Sequence, residues 1–400
     1  MSDDLIASIS IYQLKPAEDN ESVSSERTLA QKMSRPPKEV VYLPDFLTVS
    51  EFQNLSQDLF VCLIFDPHFW YSEQCWKRWL QALEEDGCRG KINVPLGNQD
   101  PSWREGLQIP LYLTVSGLEK AAEFKGPKKW MVRQATRPEN FCVSVLPISI
   151  LRECPEQMPL SMLPAYLAEK KTDIRVFCSG WLHNFSILGE AGCRHDLLAM
   201  TDWKGLVLEL GCGTGLMAKT CKEMGNEVTW IGLDLDPEVI SKARTHLDLA
   251  LLADANRDLP FSSSVYFDRI VCGDFLEHMD KPWKILSNLR KLTSPEGLLI
   301  VSVPNIGHWL VLKDILSGRW DEAPSGVLCV THLRFGTKKT WKRWLNASGW
   351  NIVKIEAERL PLPPDWTVSI NQMVQEPDIE NLESVTYKIL ARPNFSGSTN

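Results

Sequence analysis

The chain has 400 residues, of which 44% are apolar and 24% are charged, and its formal net charge is -8. This composition is ordinary for a globular protein and too apolar for a disordered one, and the length suggests two or three domains. The acidic balance disfavours a nucleic-acid partner, because excess negative charge repels phosphate backbones.

The eleven cysteines are scattered singly along the chain. Without a Cys-x-x-Cys motif or a paired Cys and His spacing, they predict reduced thiols and no metal site. Met1 to Leu14 lacks a basic segment followed by an apolar stretch, and no window approaches the ~18 apolar residues of a membrane span. We therefore expect a cytoplasmic protein without a membrane span.

The N-terminal part of the chain is expected to hold a tail and a small domain. Residues 1–39 predict a mobile tail, because Lys15 to Glu39 is rich in Ser, Glu, Lys and Pro and nearly lacks aromatic residues. Residues 40–185 predict a smaller mixed α/β accessory domain of unknown function. Its apolar positions at helical spacing are among Phe69, Trp70, Trp76, Trp79, Leu80 and Leu83, and its strands are expected at Leu111 to Val115, Phe141 to Leu146 and Ile174 to Cys178.

Strands and helices then alternate regularly over residues 186–393, and residues 394–400 form a short tail. This alternation predicts a parallel sheet with helices on both faces. Seven strands are expected, at Leu206 to Leu210, Val228 to Leu233, Ala250 to Ala253, Arg269 to Cys272, Leu298 to Val303, Asn351 to Ala357 and Ser384 to Ala391. Helices are expected at Leu216 to Met224, Glu238 to Leu247 and Pro282 to Leu292, with a turn at Ser294 to Gly297. Asp236 and Pro237 are expected to cap the second of these helices at its N-terminus.

The strongest motif is the glycine-rich segment Val207 to Gly215, which lies where a strand is expected to turn into a helix. Glycines there let the backbone approach a ligand closely. Asp234 follows Gly215 by 19 residues at the end of the next expected strand, where a carboxylate can accept hydrogen bonds from ribose hydroxyls. The third glycine of the dinucleotide fingerprint is missing, which favours a nucleoside without a pyrophosphate over NAD. The alternative is a plain tight turn in an α/β core.

These residues resemble the class I S-adenosylmethionine-dependent methyltransferase family, and the resemblance covers about Glu190 to Arg392. It implies a Rossmann-like, seven-stranded methyltransferase domain with S-adenosyl-L-methionine as its cofactor. The cofactor-binding residues that it implies are Glu209, Gly211, Cys212, Gly213, Gly215, Asp234, Leu235, Asp254, Ala255 and Gly273. Phe267 to His278 resembles the family's fourth motif, which lines the methionine end of the cofactor and the acceptor.

Three further segments resemble small-molecule methyltransferases found beside bacterial glycosyltransferases. They are Leu276 to His278, Val303 to Trp309 and Thr331 to Phe335. This resemblance implies a small-molecule or glycan-linked acceptor, methylated on a hydroxyl oxygen. Val303-Pro304-Asn305 replaces the Asn-Pro-Pro-Tyr motif that is used on nitrogen acceptors.

A hydroxyl acceptor needs a group that removes its proton, and the sequence offers several candidates. His278 follows the fourth expected strand, and the ordinary imidazole pKa of about 6.5 suits a general base. His308 and Asp274 are the other catalytic candidates, with His332 more distant. Each has an alternative: His278 as a helix cap, His308 as a packed or substrate-wall residue, and Asp274 as a cofactor-side residue or cap.

Two other functions remain open from the sequence. One is a non-catalytic protein that retains the nucleoside pocket and acts as a scaffold. The other is an NAD-dependent oxidoreductase, which the missing glycine disfavours. The sequence does not indicate an oligomeric state.

Overall fold

The structure is a computed structural model of the chain. It describes residues 9–14, 40–44, 47–55, 60–65, 69–87, 90–97, 114–125, 128–184, 193–257, 259–262 and 264–394. The chain divides into two compact units, one made of residues 1–189 with 321–325 and the other of residues 190–320 with 326–400. No helix in the described ranges is long and apolar enough to cross a membrane.

The first unit is a mixed α/β unit. Its strands are β1 (Ser10–Leu14), β2 (Val40–Leu43), β3 (Phe60–Ile64), β4 (Phe69–Trp70), β5 (Ile92–Gly97), β6 (Trp130–Gln134), β7 (Val143–Pro147) and β8 (Asp173–Asn184). Its α-helices are α1 (Val49–Leu55), α2 (Glu73–Asp86), α3 (Val115–Ala122), α4 (Ile148–Leu151) and α5 (Leu163–Glu169), and 3-10 turns lie at Pro138–Phe141 and Leu160–Met162.

One eight-stranded sheet forms the centre of this unit. The strand order is β2-β1-β3-β7-β5-β8-β4, and β6 pairs with β8. Helix α2 buries Trp76, Trp79, Leu80 and Leu83, as its apolar spacing predicted. The expected strand at Leu111 to Val115 is wrong at Val115, because Val115 begins α3 and the hydroxyl of Thr114 caps that helix. Residues 111–113 lie outside the described residues.

The expected tail needs a correction at its start. Residues 10–14 form β1, which pairs in parallel with both β2 and β3 and therefore lies inside the sheet. The physical reason is the burial of Ile9, Ile11 and Leu14, which supply enough apolar surface to fix a short strand. Residues 15–39 lie outside the described residues.

The second unit carries the regular alternation that the sequence predicted. Its strands are β9 (Gly205–Leu210), β10 (Val228–Asp234), β11 (Leu249–Leu252), β12 (Phe267–Gly273), β13 (Thr293–Pro304), β14 (Trp350–Arg359) and β15 (Ser384–Pro393). Its α-helices are α6 (His195–Leu198), α7 (Leu216–Glu223), α8 (Pro237–Ala243), α9 (Pro282–Lys291), α10 (Trp309–Leu316), α11 (Lys338–Ala347), α12 (Pro364–Met373) and α13 (Ile379–Glu383), with a 3-10 turn at Leu276–His278.

The seven strands form one sheet in the order β11-β10-β9-β12-β13-β15-β14. The predicted seven-stranded, Rossmann-like sheet is confirmed, but the expectation of a parallel sheet is wrong for β15, which runs antiparallel to both neighbours. The connection from β14 to β15 returns the chain to the end of the sheet at which β14 finished, so β15 runs antiparallel to β14.

Apolar side chains fill both faces of this sheet, which confirms the expected layers. On one face α9 and α11 pack against alternate strand residues such as Leu208 and Ile270. On the other face α6, α7 and α8 pack against the intervening residues, including Val207 and Val271. The two-residue period of the strands produces this division.

Residues 294–297, expected as a turn before the fifth strand, are part of β13. The pairing register shifts there, because Phe267 pairs with Thr293 while Arg269 pairs with Leu298. Four residues of β13 therefore lie opposite Asp268 alone, so the predicted turn is a bulge within a strand.

Candidate active site

The glycine-rich loop between β9 and α7 has the backbone geometry that its sequence predicted. Gly211, Gly213 and Gly215 all have positive φ, at 68°, 51° and 76°. A Cβ at Gly213 would have no atom of the described residues within 4 Å, so the backbone there borders open space. The loop therefore presents an accessible backbone at the carboxyl edge of the sheet.

Asp234 holds this loop from the end of β10. The Gly213 amide donates to Asp234 Oδ2 at 3.0 Å, and the Asp236 amide donates to Asp234 Oδ1 at 3.1 Å. Asp236 in turn caps α8 as predicted, with Pro237 at the first helical position. Leu235, between the two acids, is 69% exposed.

Asp254 and Ala255 follow the adjacent strand β11. The Ala253 amide donates to the Asp234 carbonyl at 3.0 Å, which brings this turn beside the end of β10. Asp254 Oδ1 accepts from the Asn256 amide at 2.9 Å, and Ala255 is buried. The structure thus places Asp234 and the pair Asp254 and Ala255 on neighbouring strand ends, as the order of parallel strands requires.

Glu209 lies inside the sheet just before the loop. The Trp230 indole Nε1 donates to Glu209 Oε2 at 2.9 Å. Burial, together with the charge of Asp234, raises the pKa of Glu209 to about 8 against the lowering effect of that hydrogen bond. Glu209 is therefore a buried acid that retains a proton near neutral pH.

Cys212 occupies the glycine loop as a packed thiol. Burial raises its pKa, so the thiol is not activated. A Cβ on Gly232 would lie 2.7 Å from Cys212 Sγ, which shows how closely β10 approaches the loop.

The end of β12 lies against the same loop. A Cβ at Gly211 would meet Phe275 Cδ2 at 3.0 Å. Gly273 and Asp274 precede that ring, and Asp274 has a positive φ of 47°, which is uncommon for a residue with a side chain. This contact brings the predicted fourth motif next to the glycine loop.

Asp274 is held by a network at its strand end. Ser302 Oγ donates to Asp274 Oδ1 at 2.8 Å, and Arg194 Nη1 contacts Asp274 Oδ2. Arg194 also makes two 2.9 Å contacts with Asp196, one from Nε and one from Nη2. Asp274 is thus ion-paired and hydrogen-bonded at both carboxylate oxygens.

His278 lies at the end of the 3-10 turn after β12. Its Nδ1 is 3.2 Å from the Thr331 carbonyl, and its ring lies edge-on to His332 with the ring centroids 4.8 Å apart. His332 Nδ1 is 3.0 Å from the Val327 carbonyl. The structure therefore brings together two of the histidines that the sequence singled out.

His308 has a different setting. It is fully buried, its Nδ1 accepts from the Leu310 amide at 3.2 Å, and it caps α10. Burial lowers the pKa of His308 to about 4. This geometry favours the packed role that the sequence left as an alternative.

Three features of this site are not evident from the sequence. Trp230 binds Glu209 across two strands, Ser302 binds Asp274, and Glu277 is buried at 1% exposure beside His278. Trp230 and Ser302 lie in strand segments that give no chemical signal. Glu277 belongs to the segment Leu276 to His278, whose resemblance was noted from the sequence, but its burial was not predictable from its residue type.

The comparison with known families decides what this unit is. Residues 190–355 match the family described as "Methyltransferase domain". This part of the chain is a methyltransferase domain. The domain is of the class I type, and S-adenosylmethionine is the cofactor of that class. The comparisons do not show the association with glycosyltransferases that the sequence implied.

Curated relatives match a shorter stretch of the chain. A ubiquinone biosynthesis O-methyltransferase of Xanthomonas oryzae is 34% identical over 104 residues, which are 25% of this chain and 43% of that protein. The protein of that name from Xylella fastidiosa is 38% identical over 104 residues, or 25% and 42% of the two chains. The chain thus spans less than half the length of these relatives.

Solved structures align with about half of the chain. The structure of a SAM dependent methyltransferase from Archaeoglobus fulgidus covers 50% of this chain and 90% of its own, at 20% identity and a TM-score of 0.38.

Proposed function

We propose that the chain transfers a methyl group from S-adenosylmethionine to a hydroxyl oxygen of a small-molecule or glycan-linked acceptor. The observation that carries this proposal is the positive-φ glycine loop held by Asp234 inside a methyltransferase domain. The relatives named ubiquinone biosynthesis O-methyltransferases support oxygen as the methylated atom.

The residues around the loop fit the cofactor. The open space over Gly213 provides room for a ligand, and the half-buried carboxylate of Asp234 lies beside it at the strand end. Asp234 would accept from the ribose hydroxyls, and Asp254, Ala255 and exposed Leu235 would border the adenine. Gly211, Gly215 and Gly273 shape the backbone, while Glu209 and Cys212 lie behind it.

The chemistry that the cofactor supplies is an electrophilic methyl group on a sulfonium ion. The chain's contribution is to align an acceptor oxygen with that group and to remove its proton. Asp274 and His278 lie at the carboxyl end of β12, next to the loop through Phe275, so they would face the acceptor. Arg194 and Ser302 already hold both oxygens of Asp274, which favours His278 as the group that meets the acceptor hydroxyl.

Calorimetric titration of the full chain tests the cofactor part of this proposal. The ligands are S-adenosylmethionine, S-adenosylhomocysteine and NAD, each with the same protein preparation. We expect binding of the two adenosyl ligands and none of NAD. Binding of NAD alone would replace the proposal with the oxidoreductase alternative.

A methyl-transfer screen tests the acceptor part. Radiolabelled methyl donor is incubated with the chain and a panel of hydroxylated sugars, hydroxylated aromatic compounds and matched amines. Label in a hydroxyl compound supports the proposal, whereas label in the amines alone contradicts the oxygen assignment. Tight cofactor binding with no labelled product in either group would favour the scaffold alternative.

A further inference from the structure

Glu277, His278 and His332 form a cluster of possible ligand atoms beside the proposed acceptor site. One oxygen of Glu277 and one ring nitrogen from each histidine all lie within 4.8 Å of one another. Two of these residues end the 3-10 turn after β12, and His332 comes from the segment of residues 327–335. The fold thus joins residues that are more than 50 positions apart.

Backbone contacts fix the two segments to each other. The Glu277 carbonyl accepts from the amides of Leu333 at 2.8 Å and Arg334 at 2.9 Å. His278 Nδ1 faces the Thr331 carbonyl across the same junction. These contacts therefore hold the two segments that carry the three residues against each other.

Both histidines have the orientation of metal ligands. The Nδ1 of each ring lies within hydrogen-bond distance of a backbone carbonyl, at 3.2 Å for His278 and 3.0 Å for His332. A carbonyl can only accept, so it selects the tautomer with the proton on Nδ1 and places the lone pair on Nε2. Histidines that bind metals in proteins commonly donate their other ring N–H to such an acceptor.

Glu277 provides an independent sign of a missing partner. Its side chain is 1% exposed, and Oε2 has no hydrogen-bond partner among the described residues. A buried carboxyl oxygen without a partner is costly, and a cation beside it would remove that cost.

We propose that Glu277, His278 and His332 bind a divalent transition-metal ion of the Zn²⁺ type. Two imidazole nitrogens with one carboxylate oxygen suit Zn²⁺ or a neighbouring first-row ion better than Mg²⁺, which prefers oxygen ligands. Tetrahedral Zn²⁺ holds its ligand atoms about 3.3 Å apart. Side-chain rotations that bring these atoms closer by up to about 1.5 Å would therefore complete the site. The sequence predicted no metal site, because these ligands have no short, regular spacing.

Three protein ligands leave a coordination position open. If the proposed methyl transfer holds, an acceptor oxygen in that position would be polarised and would lose its proton more readily. His278 would then be a ligand rather than the proton acceptor. Metal binding itself does not depend on methyl transfer, so the two proposals can fail separately.

Direct binding measurements test this site in the whole 400-residue chain. The chain is stripped with a chelator, dialysed, and titrated with Zn²⁺ and with Mg²⁺ by calorimetry, and with Co²⁺ by visible absorption. The variants are His332→Ala and Glu277→Gln, and the matched control is His195→Ala, because His195 is an exposed histidine outside the cluster. Glu277→Gln keeps the shape of the buried side chain, and thermal melting shows that each variant is folded.

The expected result is one equivalent of Zn²⁺ or Co²⁺ per chain for the wild type and for His195→Ala. Affinity should fall at least about tenfold in Glu277→Gln and in His332→Ala. Absence of binding in the wild type, unchanged affinity in the folded variants, or binding of Mg²⁺ alone would each overturn the proposal.

Discussion

The amide of Gly213 donates a hydrogen bond to Asp234 Oδ2 at 3.0 Å, so the glycine loop and the next strand end form one structural unit. The same carboxylate accepts from the Asp236 amide. Any ligand that approaches the loop therefore meets a carboxylate already fixed in place. This relationship makes Asp234 the first residue to test.

Asp234→Ala should weaken S-adenosylmethionine binding at least about tenfold, because a hydrogen bond to a charged group contributes about 1.5–3 kcal/mol. It should also lower the free energy of unfolding by about 1–2 kcal/mol through the two lost amide contacts. Asp236→Ala is the matched control: it removes the α8 cap at a similar cost of about 1 kcal/mol and should leave affinity unchanged. Calorimetry and thermal melting measure both; equal affinities for the two variants would remove Asp234 from the site.

Gly213→Ala should reduce cofactor affinity and also strain the backbone. Its φ of 51° is unfavourable for alanine by about 1–2 kcal/mol, but the new methyl group meets no described atom within 4 Å. Gly318→Ala is the control, because Gly318 has a φ of 75° and similar open space. The two variants should lose similar stability in denaturant unfolding, and only Gly213→Ala should lose affinity; a parallel loss in both would show that strain alone is responsible.

Glu209 should make stability depend on pH. Its folded pKa of about 8 lies above the ordinary 4.5, so the folded state keeps a proton that the unfolded state releases. This stabilising contribution is complete below about pH 4.5 and is lost as the pH rises to about 8. Relative to Glu209→Gln, the wild type should lose up to about 1.4 kcal/mol per pH unit across that window.

Denaturant unfolding of wild type and Glu209→Gln at several pH values measures this difference. Glu223→Gln, at the exposed end of α7, is the control and should follow the wild type. Parallel stability profiles for wild type and Glu209→Gln would show that Glu209 does not hold a proton in the folded protein.

His278→Ala should spare cofactor binding and lower methyl transfer about 100-fold or more, because it removes either the group that takes the acceptor proton or a ligand of the proposed metal ion. Turnover is measured with the acceptor found in the screen, and His195→Ala serves as the surface-histidine control. A His278→Ala enzyme with normal turnover would make this residue purely structural.

The methyltransferase domain was largely predictable because its strands and helices follow local rules. The glycine loop, the Asp236 cap and the α7, α8 and α9 helices lie near their predicted positions, and these signals span only a few residues each. The direction of β15 was not predictable, because an apolar run indicates a strand without its orientation. The strand at residues 10–14 was missed for a related reason, since it gains stability only from partners far along the chain.

The candidate site likewise combines residues that local sequence signals predict with residues that only long-range contacts bring together. The nucleoside side consists of one loop and one strand end, and the expected strands placed Gly213 in the loop and Asp234 at that strand end. The pairing of His278 with His332 depends on a loop that returns to the 3-10 turn after more than 50 residues. Whether Glu277 Oε2 has a hydrogen-bond partner among the described residues depends on every surrounding side chain. Residue type and spacing cannot specify that arrangement.

The position of β15 between β13 and β14 also has a consequence during synthesis on the ribosome. The first six strands of the domain emerge before residues 384–393. The backbone groups of β13 and β14 that pair with β15 therefore lack their partners until that last strand is made. Such long-range pairing slows folding, and exposed edges invite association with other chains. Premature termination before residue 384 should therefore yield an aggregating fragment rather than a smaller working domain.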